Sequence, residues 1–131
     1  MAKSETRSRI TGIGTVGIPV DDQDRALAFY RDKLGFETRM DALYGEGERW
    51  IEVAPPGAAT SIALVRSREG YPAGVDTGVR LSTDDAAADH GDLLARGVDV
   101  DAQVIPYPVP MFLFRDPDGN SLIIVERPAD Q

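Results

Sequence analysis

Phe112-Leu113-Phe114-Arg115-Asp116-Pro117-Asp118-Gly119-Asn120-Ser121-Leu122-Ile123-Ile124-Val125-Glu126 is the stretch on which the fold turns. Two apolar runs, rich in aromatic and β-branched residues, flank a run in which every residue favours a turn. Pro117 presets φ, Gly119 permits positive φ, and the Asp and Asn side chains can bond nearby backbone. The pattern predicts a β-hairpin with strands at about 111–115 and 121–126. A second strand this apolar belongs in a core, so the hairpin should form one of its walls.

Working outward, the totals bound what that core can serve. The chain has 131 residues, enough for one ordinary domain or for two small halves sharing a core. Hydrophobic residues make up 42% and charged residues 27%, a balance that favours a globular fold over disorder. No apolar run approaches the roughly 18 residues of a membrane span. Met1 to Ser8 lacks the apolar centre of a signal peptide, so the cytoplasm is the expected compartment. A net charge of −8 argues against nucleic acid and against anionic membranes as partners, because phosphate binding needs a basic footprint.

No cysteine is present, which excludes disulfides, thiolate catalysis and Cys-ligated metals. His90 is the entire imidazole inventory. No Ser-His-Asp arrangement is visible, since His90 falls mid-helix, where a solvated position is expected. A glycine-rich phosphate loop is also missing, because Gly12, Gly14 and Gly17 sit within a strand-like run.

Along the chain, residues 1–9 form an expected flexible tail. Ile10 to Val20 is strand-like, with Pro19 placing it at an edge. Asp21 and Asp22 offer N-caps for a helix over about 23–34, whose Ala26, Phe29, Tyr30 and Leu34 make one apolar stripe. Gly35 ends it. Strands are predicted at about 36–43, 49–53 and 60–65, and a linker at 67–77. The order then restarts: a strand over 78–83, caps at Asp84 and Asp85, a helix over 86–96 ended by Gly97, a strand-like run at 98–105, an irregular proline loop, and the hairpin. Asp22 to Asp85 is an offset of 63 and Gly35 to Gly97 one of 62. A βαβββ unit written twice is the natural reading.

The motifs themselves carry a resemblance. Val20-Asp21-Asp22-Gln23-Asp24-Arg25-Ala26-Leu27-Ala28-Phe29-Tyr30, then Lys33-Leu34-Gly35-Phe36, is similar to the first-helix signature of the vicinal oxygen chelate superfamily. That group holds glyoxalase I, bleomycin-resistance proteins and extradiol dioxygenases. Leu94-Ala95-Arg96-Gly97-Val98 and Phe114-Arg115-Asp116-Pro117-Asp118-Gly119-Asn120 resemble the matching signatures of its second half. The resemblance implies an α+β fold with two βαβββ modules, at about 10–66 and 78–127, whose curved sheets surround a shared cavity with the helices outside. It also implies a homodimer, paired within one chain or swapped between two.

In the metal-dependent members, ligands come from a His or Gln on each module's first strand and a Glu on its last. Carried over position by position, the first-strand sites are Thr15 and Gly78, and the last-strand site of the second module is Ile123. The first module's last strand, Ser61-Ile62-Ala63-Leu64-Val65, has no carboxylate. No metal and no cofactor is therefore expected, because these residues cannot offset the dehydration of a divalent cation. Glu126 is three residues beyond Ile123, and strand alternation sends it to the opposite face.

The candidate ligand-binding residues are Thr15, Trp50, Glu52, Arg80, Tyr107, Phe112 and Phe114. Trp50 and Glu52 share a strand face and would suit an aromatic or cationic ligand. Arg80 in an apolar cavity would demand an anionic partner. Thr15 offers a hydroxyl, and the aromatic residues offer apolar walls, although Phe112 and Phe114 suit a core equally well. The expected function is metal-free sequestration of a hydrophobic or aromatic small molecule, as in bleomycin-resistance proteins that confer antibiotic resistance. The alternatives are a metal-independent lyase or isomerase using Glu52 as base with Arg80 steadying negative charge, a metal-dependent lyase or dioxygenase, and an interaction protein with a vestigial cavity. No catalytic residue is assigned.

Overall fold

The computed structural model describes residues 7–127; the expected tail lies outside the described residues from 1 to 6. The chain forms β1 (Thr15–Val20), α1 (Gln23–Asp32), β2 (Glu37–Leu43), β3 (Arg49–Ala54), β4 (Ser61–Arg66), β5 (Asp76–Thr83), α2 (Ala86–Ala95), β6 (Asp99–Val100), β7 (Met111–Arg115) and β8 (Ser121–Glu126). Two mixed four-stranded sheets result, ordered β1-β4-β3-β2 and β5-β8-β7-β6. Each module closes by pairing its first strand, in parallel, with its last. This is the two-module α+β fold.

Both helices start and stop as their end residues dictate. The Asp22 carboxylate accepts from the Arg25 amide and the Asp85 carboxylate from the Ala88 amide, each filling one orphan donor of a first turn. Gly97, at φ 83°, ends α2 in a Schellman turn, in which the Val98 amide donates to the Leu93 carbonyl. Gly35 takes the same left-handed conformation after α1. The two helix ends meet: Lys33 Nζ donates to the Arg96 carbonyl and Arg96 Nη1 to the Lys33 carbonyl. That reciprocal pair places the repeat in space as well as in element order.

The core fills the helix-facing sides of both sheets. Ile18 and Val20 of β1, Ile51 and Val53 of β3, and Ile62 and Leu64 of β4 meet Ala26, Phe29 and Tyr30 of α1. The second module adds Leu93, Val98, Phe112, Phe114, Leu122 and Ile124 to the same cluster. Phe29 stacks on Phe114 across the module boundary, with centroids 6.3 Å apart. Burying a large apolar side chain is worth roughly 1.5–3 kcal/mol, so this continuous cluster is what makes two thin modules one body.

The hairpin turn completes the join. Asp116 Oδ1 accepts from the Asp118 and Asn120 amides, and its Oδ2 accepts from Tyr30 Oη at 3.0 Å and from Asn120 Nδ2. Asn120 Nδ2 also donates to the Pro19 carbonyl at 2.7 Å, while Asn120 Oδ1 accepts from the Gly74 and Val75 amides. Asp118 Oδ1 takes the Asp21 amide and Arg25 Nη2. The turn is therefore a latch from the last hairpin onto β1, α1 and the segment that joins the modules.

Burial, reinforced by Asp116, raises the Tyr30 phenol well above its ordinary range. A neutral group favoured in the fold contributes fully below the unfolded value of about 10 and loses that contribution as pH climbs beyond it. Urea titrations from pH 8 to 11 should show the wild type losing stability more steeply above pH 10 than Tyr30→Phe. Parallel curves would refute the linkage.

Three expectations needed revision. The strand-like run at 98–105 is paired only at Asp99–Val100, with one further bridge at Ile105. The Asp101 amide makes the last cross-strand bond, to the Leu113 carbonyl, while its side chain pairs with Arg115, and prolines from Pro106 onward withhold donors. His90 is half-buried rather than solvated: its Nε2 lies 2.7 Å from the Asp101 carbonyl, and its ring stands edge-on to Phe112. The segment expected to link the modules at 67–77 ends earlier. Arg68 and Tyr71 bond to each other's backbone, and β5 already begins at Asp76.

Candidate functional site

Strand alternation divides each sheet into a helix-facing side and a side turned away from it. On the first sheet the away side carries Trp50 and Glu52 of β3, Ser61 and Ala63 of β4, and Thr15 and Gly17 of β1. Register sets Met40 beside Glu52, Glu52 beside Ala63, and Ala63 beside Gly17, so one row crosses all four strands. Its inner half has almost no side chain. The Tyr71 hydroxyl fills the gap, 2.9 Å from where a Cβ on Gly17 would stand. Glycine is needed here for close approach, not for its φ.

The chemistry of this face centres on Glu52. Trp50 Nε1 donates to Glu52 Oε2 at 2.7 Å, and Ser61 Oγ donates to Glu52 Oε1 at 2.8 Å. Both carboxylate oxygens are thereby engaged, and the indole is held at a fixed tilt. Tyr44 stands edge-on to that indole, with centroids 6.3 Å apart. The arrangement is a preorganised aromatic platform anchored by a carboxylate, which suits stacking on a planar molecule. It makes Glu52 the anchor of the indole.

Ser61 and Trp50 border separate cavities. Ser61 lines one of about 670 Å³, together with Val16, Ile62, Val79, Leu81 and Arg80. That volume lies within the range of small-molecule sites. Arg80 shares a row with Ile123 and Leu113, and its Nη1 donates weakly to the Gly78 carbonyl at 3.3 Å. Among the described residues no carboxylate lies within ion-pair distance of it. Trp50 lines the second cavity, of about 320 Å³, at the opposite end of the face.

The remaining candidates are scattered. Thr15 is exposed and sits beside Ser61 in register. Tyr107 is 83% exposed in the proline loop and lines neither cavity beside the platform. Phe112 and Phe114 are fully buried on the helix-facing side, against His90 and Phe29, so they build the core and not a ligand wall. Strand parity decides this, since Leu113 between them takes the away side. Glu126 Oε1 accepts from the Ala86 amide and caps α2.

The positions at which metal-dependent relatives would place ligands hold Thr15, Gly78 and Ile123, and β4 is without a donor stronger than Ser61. These residues do not fit a divalent cation. Among the described residues no three His, Asp or Glu side chains converge. Tyr71 and Arg68 were invisible as site residues in the sequence. Their only signal was an aromatic and a cation three apart in a stretch punctuated by Gly70 and Pro72.

Comparison with known proteins places this geometry. The sequence pattern of the Glyoxalase/Bleomycin resistance protein/Dioxygenase superfamily matches residues 12–124. TnmS3, an antibiotic binding protein from Streptomyces sp. CB03234, is 36% identical in sequence and superposes with a TM-score of 0.81 over 92% of this chain and 98% of its own. A member of the same superfamily from Sphaerobacter thermophilus is 35% identical, with a TM-score of 0.83 over 90% of this chain and 98% of its own. The uncharacterized protein YetH of Bacillus subtilis is 29% identical over 123 residues, which is 89% of this chain and 99% of that protein.

Proposed function

Because the chain belongs to the glyoxalase, bleomycin-resistance and dioxygenase superfamily, we propose that it binds and sequesters a planar, largely apolar small molecule on the Trp50 platform. The observation that carries this reading is the Trp50–Glu52–Ser61 set, whose hydrogen bonds fix an indole face before any ligand arrives. A fixed platform spares the ligand the entropic cost of ordering its site. A neighbour 36% identical is an antibiotic binding protein, which supports binding of a small molecule. Sequestration needs no proton transfer and no metal.

Trp50 is the only tryptophan, so its emission reports on one place. A neutral planar probe, 9-anthracenemethanol, should quench it saturably at one site per chain. Trp50→Ala should weaken binding about tenfold, read from anthracene anisotropy, in line with the 1–1.5 kcal/mol of a good aromatic pair. Affinity unchanged in Trp50→Ala would overturn the assignment.

A further inference from the structure

The cavity of about 320 Å³ at the Tyr44 end of the platform differs in chemistry from the larger one. Trp50 and Tyr44 line it on the aromatic side and Arg68 on the basic side; Arg66 also borders it, but shares a row with Val20 and so belongs to the helix-facing side. Among the described residues neither guanidinium has a carboxylate within ion-pair distance. Arg49 also borders the cavity, but Asp24 and Asp41 hold it, at 2.6 and 2.8 Å. Glu48 is the one carboxylate on the lining. Arg68 is therefore the guanidinium on the platform side that no carboxylate holds.

Arg68 is placed rather than free. Its guanidinium lies over the Tyr71 ring, 4.8 Å from the centroid, and Tyr71 is lodged against Gly17 on the first sheet. The Arg68 amide donates to the Tyr71 carbonyl and the Tyr71 amide returns the bond. A cation held on an aromatic face keeps its N–H edges available, and a guanidinium presents those edges to a planar oxyanion in matching geometry.

We propose that this cavity is an acid-recognition subsite, in which Arg68 receives the carboxylate of an aromatic acid whose ring stacks on Trp50. The assignment rests on the sequestration reading above and narrows it to planar aromatic carboxylic acids. The cavity accommodates the acid group with the adjoining ring, and the rest of a larger molecule extends along the away side of the first sheet. Neutral analogues keep the stacking and lose the charged hydrogen bonds.

The test compares 9-anthracenecarboxylate with 9-anthracenemethanol, which share a ring system and differ in charge. The wild type should bind the acid at least about tenfold more tightly, because hydrogen bonds between charged groups are worth 1.5–3 kcal/mol. The preference should shrink as salt is raised. In the variant Arg68→Gln the acid should fall to the affinity of the alcohol, while the alcohol changes by less than twofold. Equal affinities for both probes in the wild type would overturn the acid subsite and leave the sequestration reading standing. A preference that survives Arg68→Gln, or that disappears only in Arg80→Gln, would place the anion elsewhere and also overturn it. Failure of both probes to bind would overturn the subsite and the reading it rests on together.

Discussion

Asn120→Ala is expected to destabilise the protein by about 3–5 kcal/mol, among the largest losses any single substitution should produce here. Asn120 is fully buried and serves four partners. Truncation strands the buried Pro19 carbonyl and unpairs the part-buried Gly74 and Val75 amides. A stranded buried group costs roughly 1–3 kcal/mol, so even partial rescue by water leaves a large sum. For a chain of this size the melting temperature should fall by about 10–20 °C. Asn120→Asp should also be poor, since it replaces the donor facing the Pro19 carbonyl and Asp116 with an acceptor. Equilibrium urea unfolding reads the effect, and a loss below about 1 kcal/mol would show that the latch is not what joins the modules.

The consequence reaches the site. Asn120 bonds the end of the segment that carries Arg68 and Tyr71, and Pro19 lies two residues beyond Gly17. Breaking the latch loosens the support of the platform's inner edge at the same time as it frees the modules. Asn120→Ala protein that remains folded at low temperature should bind 9-anthracenemethanol more weakly, although Asn120 touches no cavity beside the platform.

Phe114→Ala is the second large expectation, at about 3–5 kcal/mol, the range for deleting a buried phenyl ring. Phe114 is fully buried, stacks on Phe29 and faces Leu122 and Val100 in register. The cavity left behind would sit between the modules, where collapse is opposed by two rigid sheets. Trp50→Ala should cost far less stability, because Trp50 is only half-buried, and far more affinity. The two substitutions thus separate core from platform. If Phe114→Ala unfolded within about 1 kcal/mol of wild type while probe binding vanished, the ring would belong to the ligand wall after all.

Both expectations concern the hairpin from which the sequence reading began. Its strands fell where alternation and turn chemistry put them, 111–115 and 121–126. Helix caps at Asp22 and Asp85 and the stops at Gly35 and Gly97 were equally legible. Each of these is a local decision, made by a side chain and a backbone group within a few residues. The lack of metal donors at Thr15, Gly78 and Ile123 was legible for the same reason, since a side chain's ligating capacity is a property of its type.

Ring burial was not legible, because Phe112 and Phe114 read the same whether their strand face meets a helix or a ligand. His90 is similar: only the return of the chain at Asp101 decides whether a mid-helix imidazole is wet. The sequence by itself determined the repeat, the order of elements, the ends of the helices and the chemistry that four ligand positions lack. The tertiary structure alone decided which strand face is core, that the hairpin turn latches the modules, and that Arg68 and Tyr71 return to the face bearing Trp50. Those decisions depend on contacts between residues 46 to 101 positions apart, such as Asn120 with Gly74 and with Pro19. Periodicity carries no information over that distance, and packing does.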